Sequence, residues 1–190
     1  MINIKNYFAS MHKVIEKMDF SEIEKAINII VEKIENKKNI FVCGNGGSAL
    51  TASHYVTDWN KSYYLKTGKQ LKGISLNDNI GLVTSIGNDL SYDDAFAFQL
   101  KSLAQKGDIL IVISGSGNSK NIIQAIKSAK EIGCFSLAIL GHDGGEAIKI
   151  SDFSIHFPSW DMQLCEDFHL SFGHLVMKSI CSENIKPLYE

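Results

Sequence analysis

DILIVISGSGNSKNIIQAIKSAKEIGCFSLAILG, residues 108–141, decides how this chain folds. It opens on a continuous apolar run, turns through serine and glycine, continues with apolar residues at helical spacing and closes on a second apolar run. That order predicts a strand–helix–strand unit. Strands that are apolar on both faces belong to a parallel sheet covered by helices on both sides. Outward from this unit, NIFVCG (39–44), LKGISL (71–76) and FSIHF (153–157) read as further strands. Helices are predicted near 48–61, 92–105, 119–131 and 161–183, the last long enough to leave the body and pack on a neighbour. The expected fold class is α/β: a three-layer, doubly wound, mainly parallel five-stranded sheet flanked by helices.

Ahead of the sheet, Ile2, Ile4, Phe8, Met11 and Ile15, then Ile23, Ala26, Ile27, Ile30 and Ile34, recur at helical spacing. They predict two amphipathic N-terminal helices, broken and re-capped at Asp19-Phe20-Ser21. Residues 1–37 thus form a helical segment, and 38–190 an α/β core with a long C-terminal helix. At 190 residues the chain is expected to make a single domain. The only prolines, Pro158 and Pro187, stand before the last helix and in the tail.

Composition excludes several roles. A formal charge of −2 supplies no basic field, so no nucleic-acid partner is expected. All 19 basic residues are lysines. A bound phosphate would therefore rest on ammonium groups, hydroxyls, backbone N–H groups or helix N-termini, with no arginine fork from this chain. The first residues have no secretory apolar core and no run reaches spanning length, so no membrane is expected and the predicted location is cytoplasmic. Cys43, Cys134, Cys165 and Cys181 form no C-x-x-C pair and read as buried reduced thiols.

Three glycine turns follow strands. In the first, Gly44, Gly46 and Ala49 nearly match a dinucleotide fingerprint. That reading asks for an acid at the end of the next strand; the strand ends near Ser75-Leu76 and Asp78 lies too far on. The second turn, Ser114 to Ser119, places three serines before a helix, where their hydroxyls can donate to phosphate oxygens. The third, LGHDGGEA, carries Asp143 and is a poorer anion site. A small phosphorylated ligand at the carboxyl ends of the strands fits the paired hydroxyl-rich turns. Plain tight bends remain the bland alternative.

Two helices carry matching stripes. His54 and Asp58 are four residues apart, and Glu166, Leu170 and His174 follow at i+4 steps with His169 one residue off. Imidazole and carboxylate together suit zinc or another transition metal, and equally a proton shuttle. Each residue alone also has a structural reading, and His12, His142 and His156 are taken as structural.

GNGGS (44–48), a histidine six residues after its serine, GND (87–89), ISGSGNS (113–119) and HLSFGH (169–174) together make the chain resemble the sugar isomerase (SIS) domain family. Within that family it is similar to the sedoheptulose 7-phosphate isomerases. The resemblance spans almost the whole chain. It implies aldose–ketose isomerisation of a sugar phosphate, without a nucleotide cofactor, feeding heptose synthesis for surface polysaccharide. It also implies a homotetramer with inter-subunit active sites. Phosphate would be held by Ser114, Ser116 and Ser119, and the sugar by Asn45, Gly46, Ser48, Asn88, Asp89 and Glu166. Asp58 and His174 would move the proton, and zinc would be bound by His54, Asp58, Glu166 and His174.

Two positions depart from the family. Asp58 stands where a glutamate is expected and is one methylene shorter, a displacement of about 1 Å that would lower the rate on the order of 100-fold if uncompensated. Glu166 stands where a glutamine is expected and adds a negative charge. Trp59, Asn60, Lys61 and Ser62 replace the usual run after the carboxylate, from which a remodelled sugar pocket is expected. Two alternatives follow: isomerisation of another sugar phosphate, and a non-catalytic SIS-domain regulator or scaffold like those that act on a DNA-replication partner.

Overall fold

A computed structural model describes residues 3–184 and 186. Ile2 and Pro187 therefore lie outside the described residues. In chain order the elements are α1 (Ile4–Lys17), α2 (Phe20–Glu35), β1 (Asn39–Gly44), α3 (Gly47–Thr67), β2 (Lys72–Ser75) and α4 (Ile80–Asp89). After a 3-10 turn (Tyr92–Asp94) come α5 (Ala95–Leu103), β3 (Ile109–Ser114), α6 (Lys120–Ile132), β4 (Phe135–Leu140), α7 (Ala147–Ile150), β5 (Phe153–His156) and α8 (Met162–Ile180).

All four strand pairings are parallel, in the order β2-β1-β3-β4-β5. Successive strand residues face opposite sides, so each strand feeds two cores. Ile40, Val42, Ile109, Ile111, Leu137 and Ile139 join residues of α2, α3 and α8 on one face. Phe41, Cys43, Leu110, Val112, Ala138 and Leu140 join residues of α5 and α6 on the other. The five expected strands and the three layers are present.

Local chemistry sets the boundaries. The Asp19 carboxylate accepts from the N–H groups of Ser21 and Glu22, capping α2 where the sequence implied a break. Gly133 ends α6 at φ +86°, a left-handed conformation that glycine adopts without strain. All four cysteines are free and buried, and burial pushes the Cys134 thiol up to about 11.

Three expectations change. The stretch read as one helix over 92–105 is a 3-10 turn followed by α5. Helix α4 was not foreseen, because its glycines Gly81 and Gly87 weaken the helical signal. Helix α8 does not leave the body: Leu164, Phe168, Phe172 and Val176 bury one face along most of its length.

Candidate active site

The sheet changes direction between β1 and β3, since β2 lies to one side of β1 while β3, β4 and β5 follow on the other. At such a point the loops leaving two adjacent strands diverge and open a crevice at the strands' carboxyl ends. Here those loops are the first two glycine turns.

The first turn is pinned at its base: the Asn77 amide accepts from Gly44 N at 3.2 Å and donates to Gly44 O at 2.9 Å. Gly46 then takes φ +55°, ψ −122°, a conformation closed to ordinary L residues. Gly47 opens α3, and its missing side chain admits the Glu166 carboxylate. Asn45 is held by a reciprocal amide pair with Asn121, at 2.9 and 2.8 Å, and by the Tyr92 hydroxyl at 2.8 Å.

In the second turn, Ser114 Oγ accepts from Gly117 N at 3.0 Å and Ser116 Oγ accepts from Asn118 N at 3.3 Å. Each hydroxyl keeps its proton for another acceptor. Ser119 stands at the N-cap of α6 but makes no side-chain capping bond. Its hydroxyl and the helix N-terminus are thus left for an anion. The third glycine turn backs this one: a side chain on Gly117 would strike Gly144 O, and Asn118 Oδ1 accepts from Glu146 N at 2.9 Å.

The two turns share one hollow of about 270 Å³. Asn45, Gly46, Gly47, Ser48, Ser114, Gly115, Ser116 and Ser119 line it, with Met162 and Glu166 contributed by α8. A larger hollow, about 650 Å³, lies at the opposite end of the sheet among Lys37, Tyr63, Lys69 and Lys72. It holds none of the glycine-turn or stripe residues.

Beyond the hollow, α3 and α8 cross closely. Gly173 has no side chain where the Tyr55 ring packs, Trp59 Nε1 donates to Gly173 O at 2.8 Å, and Tyr55 OH donates to His169 O. This contact faces His54 toward His174, their Nε2 atoms 3.0 Å apart. Asp58 Oδ2 is 3.3 Å from His54 Nε2 and 3.9 Å from His174 Nε2. Two imidazole nitrogens and a carboxylate oxygen so close favour a shared proton or a cation between them, and all three fall within 4.8 Å of one another. Lys61 Nζ stands 3.8 Å from Asp58 Oδ1. All three side chains stay partly exposed, at 43% for His54, 22% for Asp58 and 46% for His174.

Of the four expected metal ligands, the structure gathers three. Glu166 is not in the trio; its carboxylate lies against Gly47 and lines the hollow. Asn88 and Asp89 end α4, exposed, and do not line the hollow. Of the run expected to remodel the sugar pocket, Trp59 and Asn60 do not line the hollow. Trp59 is fully buried between α3 and α8, and Asn60 brackets the backbone of Gly73 with two bonds of 3.0 Å. Only Lys61 of that run reaches the trio. Sequence reading missed Asn121, Tyr92 and Met162. Asn121 alone carried a signal, as an amide inside the first turn of an otherwise amphipathic helix.

A family model described as "SIS domain" matches residues 5–141. The chain belongs to the SIS domain family. The phosphoheptose isomerase of Aliarcobacter butzleri is 40% identical over 184 residues, covering 95% of this chain and 96% of that protein. The phosphoheptose isomerase of Clostridium acetobutylicum is 37% identical over 174 residues, covering 91% and 88%. Among solved structures, the phosphoheptose isomerase of Neisseria gonorrhoeae superposes with a TM-score of 0.86 at 29% identity, over 94% of this SIS chain and 97% of that one.

Proposed function

We infer that this SIS-domain chain is a phosphoheptose isomerase, interconverting sedoheptulose 7-phosphate and an aldoheptose 7-phosphate. One observation carries the reading: a hollow lined by the serine turn is walled on its other side by the same two helices, α3 and α8, that carry the imidazole–carboxylate trio. Gly47 to His54 and Glu166 to His174 are seven and eight residues, which at the helical rise is roughly 10–12 Å. That separation suits a sugar phosphate whose phosphate sits in one place while its first carbons react in the other. The similarity to phosphoheptose isomerases over nearly the whole chain supports the substrate.

In this reading Ser114, Ser116, Ser119 and the α6 N-terminus hold the phosphate. Asn45, Gly46, Ser48 and Glu166 bind the sugar, and Asn88 and Asp89, which stand outside the hollow of a single chain, would join them only where subunits meet. Asp58 takes the proton from the carbinol carbon beside the ketose carbonyl while His174 protonates the carbonyl oxygen. The resulting enediol then accepts a proton at the former carbonyl carbon and releases one from its other hydroxyl. The aldose forms with no net oxidant. His54, Asp58 and His174 also suit zinc, which when bound would polarise the carbonyl oxygen.

The partly exposed trio belongs, in this reading, to a homotetramer in which a second subunit completes each site. Leu50, 75% exposed one turn before His54, and Leu175, 40% exposed beside His174, are the apolar surface such a contact would cover. Among the described residues no helix is long and apolar enough to cross a membrane, and we place the enzyme in the cytoplasm.

The test is incubation of the purified protein with sedoheptulose 7-phosphate in heavy water, with and without added zinc. Aldose formation and deuterium at the second carbon support the reading. Absence of both under either condition removes this substrate. Exchange only with pentose or hexose phosphates would reassign it, and exchange with none would favour a binding protein.

A further inference from the structure

The hydrogen bonds around Asn45 fix which end of its amide a ligand meets. Backbone Ile122 N–H lies 2.9 Å from one side-chain atom of Asn121, and an N–H can only meet an acceptor, so that atom is Oδ1. The same Oδ1 lies 2.9 Å from Asn45, so the Asn45 atom facing it is the donor Nδ2. Asn45 Oδ1 then accepts from Asn121 Nδ2 at 2.8 Å and from Tyr92 OH at 2.8 Å. Both lone pairs of that oxygen are engaged, while one hydrogen of Asn45 Nδ2 has no partner among the described residues. Asn45 lines the hollow. Asn121 is 2% exposed, so its own amide is fixed by packing.

We propose that Asn121 is a positioning residue that locks Asn45 as a pure hydrogen-bond donor toward the sugar phosphate in the hollow, where it meets a substrate oxygen remote from the reacting carbons. The substrate part of this statement rests on the isomerase reading. The lock itself does not. A donor fixed before the substrate arrives binds an oxygen without losing side-chain freedom, whereas a freely turning amide would present its oxygen part of the time. Asn121 touches no substrate; it acts through Asn45.

Asn121→Asp tests the lock with almost no change of shape. The ionised carboxylate sets an oxygen against Asn45 Oδ1 where a donor stood, so the two-bond pair cannot close in either amide orientation and Asn45 loses its fixed setting. When protonated, its O–H replaces the missing N–H donor. At neutral pH we expect KM to rise at least tenfold with kcat changed less than threefold, and the ratio to the parent to recover as pH is lowered. Side-chain amide NMR gives a readout that needs no substrate, with Asn45 assigned by the signals lost in Asn45→Asp. In the parent, the bonded Asn45 Nδ2 proton should exchange slowly with water; in Asn121→Asp at neutral pH it should exchange fast. Parent-like KM in Asn121→Asp, or equally fast exchange in the two proteins, overturns the proposal. If the parent turns over no sugar phosphate, the isomerase reading falls and the exchange comparison alone decides the lock.

Discussion

Gly47 and Glu166 occupy one another's space: a Cβ on residue 47 would stand 2.6 Å from Glu166 Oε1 and 3.1 Å from Oε2. The first helical residue of α3 and a carboxylate of α8 meet there at the floor of the hollow.

Gly47→Ala therefore separates folding from function. Its φ is not in the left-handed region, and alanine favours a helix over glycine by about 1 kcal/mol. The obstacle is the flexible end of a side chain, which can swing away. The expected outcome is an unchanged or slightly raised melting temperature with kcat/KM reduced at least tenfold. A parent-like kcat/KM would show that the Glu166 carboxylate has no part in sugar binding.

Ser119→Ala asks whether the α6 cap position serves the helix or a ligand. An N-cap serine replaced by alanine usually costs about 1 kcal/mol, but Ser119 makes no capping bond to lose. Melting should stay within about 1 °C of the parent. KM for the sugar phosphate should rise roughly tenfold with kcat nearly constant, the signature of binding lost equally from ground and transition states. A lower melting temperature with unchanged KM would return Ser119 to a structural role.

The sheet was legible in the sequence because its physics is local. Runs such as Ile109–Ile113 are apolar on both faces, and only a covered parallel sheet accommodates that. The glycine turns were legible for the same reason, since glycine and serine at a strand end act through their own backbone and hydroxyls. What sequence could not supply was contact across the fold. The place of Glu166 depends on the empty position at Gly47, more than a hundred residues away. The packing role of Trp59 was not legible because its partner, Gly173 O, lies on another helix. The His54–Asp58–His174 trio was anticipated as two stripes, but its closeness depends on how Gly173 lets α3 and α8 approach.

That approach makes Gly173→Ala a test of the trio through packing. A methyl group there would collide with the fully buried ring of Tyr55, which the neighbouring Trp59 stacks against at 4.8 Å. Overpacking of this kind destabilises by about 1–3 kcal/mol. Thermal unfolding should record that loss, and zinc titration of the still-folded variant should show weaker binding, because the ring pushes α3 from α8. Parent-like affinity for zinc would mean that the metal is not held between the two helices.

His169 offers a prediction about stability and pH that leaves the trio untouched. It is fully buried beside Phe157, the ring centroids 5.7 Å apart, and neither ring nitrogen makes a well-formed hydrogen bond among the described residues, the Leu140 backbone only partly offsetting the burial. Burial pushes its pKa down from 6.5 to about 4. The unfolded chain therefore takes up this proton more readily than the folded one, and the stability tied to neutral His169 is fully present above about pH 6.5 and lost as pH falls toward 4. A shift of that size corresponds to roughly 3 kcal/mol across the window. Urea unfolding of the parent should show stability rising with pH from 4 to 6.5. His169→Leu removes the titrating group and keeps an apolar side chain in the site. The slope of the variant should be visibly shallower than the parent's in that interval and the same above it. Parallel curves throughout would mean that His169 is protonated alike in the folded and unfolded chains.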